Sequence, residues 1–374
     1  MSALLLLVLL AAAAPAGDPP RADFVLRATR AHLPEGVVED AWLVVRTGRI
    51  EAVGSGAGAP EDLPAVHVEG ELSAGLIALH DASGAEGENL DTTRATLPEG
   101  RVVYGLREHH SAFRRLVREG ITTIELVPPR DALVGGLCAV LKTSGGRVLN
   151  DRAHLALSLT SRALPHDRWP TSYSGALALL ADELEEAEEG PLAEARDGTL
   201  PVLIEVEGKH EILRALDFAA GQGLVGALSG ASRAGELAEA IAASGLAIVY
   251  RPFDPGMETR SLASVPPLAE AGVPFGFGLD APDRDPASLR VAAAACVREG
   301  LAPDRALRAL TVDAAAIAGV EEAVGSLAPG RDADLVLWSG PPIELASRVL
   351  AVWVDGRLVH DARAPEGAAE GASR

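Results

Sequence analysis

Apolar and polar residues alternate near both ends of this chain. The pattern runs through Phe24–Thr29 and Ala41–Arg46, continues in Gly48–Gly54, and returns in Ala333–Trp338 and Val349–Val359. A period of two marks a half-buried strand, so both terminal segments read as short strands and hairpins that pair into one small β-domain. Between Ser73 and Val324 the rhythm changes. There β-like runs alternate with segments of helical period, the signature of βα units around a parallel sheet.

The units are separable. An amphipathic helix over Leu106–Glu119, stopped by Gly120, precedes the strand Ile121–Val127. Strand Val202–Val206 is followed by a helix from His210 to about Ala220. Strand Val225–Leu228 is followed by a helix near Ala234–Ala243, and strand Ala247–Tyr250 by one near Leu262–Ala271. Pro274–Asp280 reads as a last strand, with helices over Ala287–Glu299 and Pro303–Ala318 behind it. The expected fold is α/β, a distorted (β/α)8 TIM barrel with a small β-sandwich built from both termini. Its working residues should stand at the C-terminal ends of strands. The expected boundaries are a signal peptide at 1–16, β-domain at 17–72, barrel at 73–324, β-domain again at 325–362, and a disordered tail at 363–374.

Composition narrows the setting. The 374 residues are 48% hydrophobic, enough for a sizeable core, and 33 basic against 53 acidic residues give a net charge of −20. That charge argues against nucleic acid and against docking on an anionic membrane. The apolar run Ala3–Ala14, followed by Ala14-Pro15-Ala16 as a small-x-small cleavage site, reads as a secretory signal and points to a periplasmic or secreted protein with no membrane association after cleavage. Cys138 and Cys296 lie in apolar surroundings typical of buried free thiols, so no structural disulfide is expected. Glu183–Glu189 reads as a solvated acidic helix face.

The stretch Ser73-Ala-Gly-Leu-Ile-Ala-Leu-His80-Asp-Ala82-Ser-Gly84 resembles the Pro-Gly-Leu-Ile-Asp-x-His-x-His signature of the amidohydrolase superfamily, with Ala82 in place of the second histidine. Gly325-Ser-Leu-Ala-Pro-Gly-Arg-Asp-Ala-Asp-Leu-Val336, Val354-Asp-Gly-Arg357, Gly120-Ile-Thr-Thr123, Gly135-Gly136 and Ala306–Thr311 resemble further parts of the imidazolonepropionase-related branch. The resemblance covers nearly the whole mature chain and implies a metal-dependent hydrolase of carbon–nitrogen bonds. Residue by residue, it implies that His80 matches a metal-binding histidine and that Glu205, with Glu207 two residues on, stands where the family places another. Ser229 lies in a strand that has lost its family histidine. Asp280, in Gly278-Leu-Asp280-Ala-Pro282, matches the carboxylate that binds metal and handles the proton.

The candidate metal set is therefore His80, Glu205 and Asp280, with Asp280 as the candidate catalytic residue. The expected cofactor is one divalent ion, zinc or a harder ion, or none, because catalytic zinc takes about three protein ligands and a water. Lys142 reads as a strand-edge or snorkelling lysine, with a carboxylated metal-bridging lysine as its rival. His109 and His110 are placed on the helix before Ile121, His154 and His166 in loops, and His210 at a helix start. No nucleophile elbow, phosphate loop or dinucleotide fingerprint occurs. Three roles follow: a hydrolysis-impaired protein that binds a small molecule in the barrel mouth or pairs with an intact relative; a mononuclear hydrolase of amide, lactam or dipeptide bonds; or a structural partner or homo-oligomer.

Overall fold

The computed structural model describes residues 23–363 except 88, 90, 92 and 252–262; the signal-peptide and tail assignments fall outside these, apart from Arg363. The chain opens with β1 (Phe24–Leu33), β2 (Gly36–Arg46), β3 (Arg49–Ser55) and β4 (Ala65–Ala74). It continues with β5 (Leu76–Asp81), β6 (Ile121–Leu126), β7 (Val134–Leu137), β8 (Ala139–Lys142), β9 (Val148–Asn150) and β10 (Leu155–Ser158). Then come β11 (Val202–Val206), β12 (Gly226–Gly230), β13 (Ala247–Tyr250) and β14 (Phe275–Phe277), and finally β15 (Leu335–Trp338), β16 (Val349–Val354) and β17 (Arg357–Asp361).

Both termini enter one seven-stranded sheet, in the order β17-β16-β15-β4-β1-β2-β3. The seam is β4 against β15, where Ser73 pairs with Val336 and Leu72 with Leu337. Inward residues of six strands, among them Leu26, Leu43, Leu72, Leu335 and Trp353, share one core. The described residues bring little besides Leu327 and Ala333 to that face, so its burial requires the sheet to curl over itself as a sandwich.

The barrel has eight staves. Seven, β5, β6 and β10 to β14, run parallel, while the segment 134–142, made of β7 and β8, runs antiparallel to both β6 and β10. The ring closes on one side through backbone bonds between Cys138 and His154 (2.8 Å), and between Ala153 and Cys138 (3.0 Å). On the other side, Leu279 N donates to Leu79 O at 3.0 Å. Gly278 permits that second seam: a Cβ there would sit 2.9 Å from Leu79 O, a backbone atom that cannot yield.

Alternation along the staves sorts the core into two layers. Ile77, Leu79, Val140, Leu203, Ala227 and Val249 fill the barrel interior. Leu76, Ala78, Ile204, Leu228 and Ile248 face the surrounding helices. The helices largely follow the periodicity, with Ser111–Arg118 ending before Gly120 at φ +79, and Lys209–Gln222 ending at Gly223 in the left-handed region. The single helix expected over Pro303–Ala318 is two, Pro303–Ala309 and Val312–Ile317. The break has a cause: the Leu310 carbonyl accepts from Ile77 N at 2.8 Å, so it is committed to β5.

Lys142 corrects both of its sequence readings. It points into the barrel at the end away from the strand C-termini, is 0% exposed, and lies 2.8 Å from Asp332, 2.9 Å from Asp334 and 2.6 Å from Asp355. Arg147 also pairs with Asp332 and Asp355. Burial lowers the Lys142 ammonium, but the three carboxylates outweigh it and hold it above its usual value. The Asp-Ala-Asp and Val-Asp-Gly motifs thus supply the anions that bolt the β-domain to the barrel floor.

Candidate functional site at the barrel mouth

Four residues meet where the parallel strands end. Glu205 and Ser229 are penultimate in β11 and β12 and directly paired in register. Arg251 follows β13 by one residue and continues the inward row of Ala247 and Val249. Asp280 continues the row of Gly276 and Gly278 after β14. In each case the period of two turns the side chain inward.

His80 reaches the same place by breaking that rule. Leu79 already faces the interior, so plain alternation would turn His80 outward. Instead the β5–β6 register shifts between Ala78 and Asp81, and His80 adopts φ +54, which re-aims its ring into the mouth. Asp280 has φ +55, and its N–H donates to the His80 carbonyl at 3.0 Å. Two non-glycine residues in left-handed backbone cost on the order of 1–3 kcal/mol each, and such strain clusters at functional sites.

His80 Nδ1 lies 2.8 Å from Ser229 Oγ and 3.6 Å from Glu205 Oε2, while Nε2 lies 3.4 Å from Asp280 Oδ1. Arg251 spans the two carboxylates. It donates from Nη1 to Glu205 Oε1 at 2.9 Å, and from Nε and Nη2 to Asp280 Oδ2 at 3.0 and 2.6 Å. Arg130, on the hairpin between β6 and β7, adds a second guanidinium to Glu205 Oε1 at 3.2 Å. Burial lowers the His80 imidazole and favours its neutral form. Burial also pushes Glu205 up to about 8 against the pull of Arg130, and Asp81 up to about 7. The cleft beside them, lined by His80, Pro128, Pro129, Arg130, Ser158 and Glu205, holds about 10 Å³ of free volume, room for one water.

The sequence candidates His80, Glu205 and Asp280 are therefore brought together, and Glu205 points inward. Other candidates are not. Glu207 and His210 are exposed just beyond β11, and His166 is exposed. His109 and His110 precede the helix rather than lie on it, and His110 caps it by accepting from Ala112 N. Ala82 offers only its backbone, whose N–H donates to Ala281 O at 3.0 Å. His154 stands in the connection just before β10 but does not approach the mouth: it is 1% exposed, with Nδ1 2.5 Å from Oε1 of fully buried Glu125. Sequence reasoning missed Arg130 and Arg251, although the second stands two residues beyond inward Val249.

His80, Glu205 and Asp280 are donors of the types a divalent ion takes. As folded they do not fit one. An ion would have to displace Arg251 from both carboxylates and Arg130 from Glu205. Among the described residues, no group of three or more His, Cys, Asp or Glu is arranged to hold a metal.

Polar and strained residues gathered where the parallel strands end define a (β/α)-barrel protein whose candidate site lies at the C-terminal mouth of the sheet. Residues 227–359 match the amidohydrolase family. An imidazolonepropionase of Shewanella sp. (strain ANA-3) is 36% identical over 102 residues, 25% of this chain and 25% of that protein. The match thus spans about a quarter of that relative's length. An amidohydrolase structure from Thermotoga maritima MSB8 superposes with TM-score 0.81 at 22% identity, over 90% of this chain and all of that one. A zinc-bound adenosine deaminase from Xanthomonas campestris gives TM-score 0.56 at 18% identity, over 92% of this chain and 94% of that one. The family match over residues 227–359, the short stretches shared with imidazolonepropionases and the common fold support the amidohydrolase superfamily, whose members are usually metal-dependent.

Proposed function

We propose that this amidohydrolase-family protein has lost efficient hydrolysis and uses its barrel mouth to bind a small molecule. The observation that carries the reading is the poverty of nitrogen donors. His80 is the one imidazole at the described mouth, its Nδ1 is engaged with Ser229, and positions 82 and 229 offer no ring. A ligand would enter over Pro128, Pro129 and Arg130, the half-buried arginine swinging aside to admit it. Export is part of the proposal, supported by the apolar run Ala3–Ala14 and tested by sequencing the N-terminus of the mature protein.

The test pairs metal content with turnover. The mature protein, purified without chelator or added metal, is assayed against amides, lactams and dipeptides, with melting temperature followed for each compound. The expected result is metal far below one equivalent, no hydrolysis above the buffer rate, and a compound that raises the melting temperature by mass action. About one equivalent of metal with robust turnover would overturn the proposal.

A second reading, a mononuclear hydrolase, is favoured by the convergence of His80 with Glu205 and Asp280 at 3.6 and 3.4 Å. Under it, His80→Ala and Asp280→Asn each abolish turnover while the fold is retained.

A further inference from the structure

We propose that Arg251 is a built-in cation that holds shut a latent divalent-metal site formed by His80, Glu205 and Asp280. The proposal rests on the reading that the wild-type mouth does not hydrolyse, and it supplies a cause beyond the missing imidazoles.

Two carboxylates facing one another across a barrel need positive charge between them, or they repel. Here that charge is a guanidinium with three hydrogen bonds of 2.6 to 3.0 Å to Glu205 and Asp280. Its side chain is 19% exposed, against 5% for Glu205 and 18% for Asp280, so the three are withdrawn from water together. Arginine keeps its charge at every working pH, and its planar fork suits two acceptors at once. The donors behind it remain grouped. His80 Nε2 and Asp280 Oδ1 are 3.4 Å apart, about the edge of a tetrahedron with bonds near 2.1 Å, as zinc-type sites require. Glu205, whose Oε1 Arg251 would release, is the third donor; it approaches His80 from the Nδ1 side, 3.6 Å away through Oε2, and must turn to share an ion with Nε2 and Asp280.

The architecture also explains why arginine serves at this position. Val249 sits opposite Ser229 in register, so the residue two further on emerges above Ser229, between β12 and β14. A long side chain from there reaches both carboxylates. The packing leaves a place for its stem: the site of a Gly230 Cβ would be 3.5 Å from Arg251 Cδ.

The experiment is Co²⁺ titration, followed by the visible spectrum and calorimetry, of the wild-type full chain, Arg251→Ala, Arg251→Gln and the double variant Arg251→Ala/Asp280→Asn. Wild type should bind no stoichiometric Co²⁺. The single variants should bind one equivalent about a hundredfold or more tighter, the size expected when a unit charge is removed a few ångströms from the ion. The double variant should lose it. Methylguanidinium should raise the melting temperature of Arg251→Ala, leave wild type unmoved and compete with Co²⁺.

Wild type binding Co²⁺ as tightly as Arg251→Ala would overturn the exclusion. Folded single variants that bind none would overturn the latent site. If Arg251→Ala unfolds, recovery of the wild-type circular dichroism by Co²⁺ or methylguanidinium supports the proposal, and failure of both overturns it. Wild-type turnover with resident metal defeats instead the reading on which the proposal rests, so the two failures are distinguishable.

Discussion

Lys142→Met should be among the most damaging single changes outside the mouth. Methionine matches the stem but not the charge, leaving Asp332, Asp334 and Asp355 with Arg147, whose side chain is 44% exposed and does not reach Asp334. Removing one partner of a buried ionic cluster costs about 3–5 kcal/mol, because the surviving charges stay desolvated. For a chain of this size, that loss lowers the melting temperature by roughly 4–7 °C. Burial pushes the Asp355 carboxyl up, but Lys142 and Arg147 outweigh it and hold it below the usual carboxylate range. A depressed carboxyl contributes stability above its unfolded pKa and loses it as pH falls through the folded one. The raised Lys142 contribution is complete below the usual lysine range and is lost only as pH rises beyond it. The deficit of the variant should therefore be full near pH 7 and shrink below about pH 4, as the pH falls from the usual aspartate value toward the lower folded value of Asp355. Urea unfolding at both pH values is the assay. It would be followed by circular dichroism for the whole chain and by fluorescence weighted toward Trp42, Trp338 and Trp353 of the β-domain. A loss below 1 kcal/mol at pH 7, or one that does not shrink in acid, would refute the reasoning.

Gly278→Ala should destabilise by about 1–3 kcal/mol, because its Cβ would press on Leu79 O and force the seam apart; thermal melts check this. His154→Ala should cost about 3–5 kcal/mol by stranding the Glu125 carboxylate in the core. The double change Glu125→Leu/His154→Leu should regain most of that loss, and a denaturant midpoint no better than the single variant's would show that the pair matters for more than its charges. Asp280→Asn should leave Arg251 with one ionic partner and lower the melting temperature by a few degrees, at roughly 1–2 kcal/mol.

Much of the frame was legible because its signals are local. The alternation of Phe24–Thr29 and Ala333–Trp338 needs no partner to be read, and the βα rhythm between them follows from which faces must be buried. Glu205 was placed by its match to the family's strand-end position, and its inward aim became legible only from the strand register, two residues beyond inward Leu203. His80 was found through its motif, but its inward aim was not legible in the period. It depends on a left-handed backbone and a register shift that strand alternation does not foretell. Arg130 and Arg251 were not legible because neither lies in a motif, and their pairing with Glu205 and Asp280 exists only where the strands converge. The partners of Lys142 lie 192 and 213 residues away at Asp334 and Asp355, and those of His154 and Glu125 meet only once the barrel closes. No local pattern encodes such meetings.

The seam between β4 and β15 sets a timetable for synthesis. The first strands of the β-domain leave the ribosome early, but Ser73 meets Val336 only after the entire barrel has been made. During that interval Lys142 has none of its aspartates, and a bare ammonium will not enter an apolar floor. At ordinary translation speeds, the 192 residues between Lys142 and Asp334 take on the order of ten to forty seconds. For that time the nascent barrel is open at its base, and the arrival of the stretch from Asp332 to Asp355 decides when it shuts.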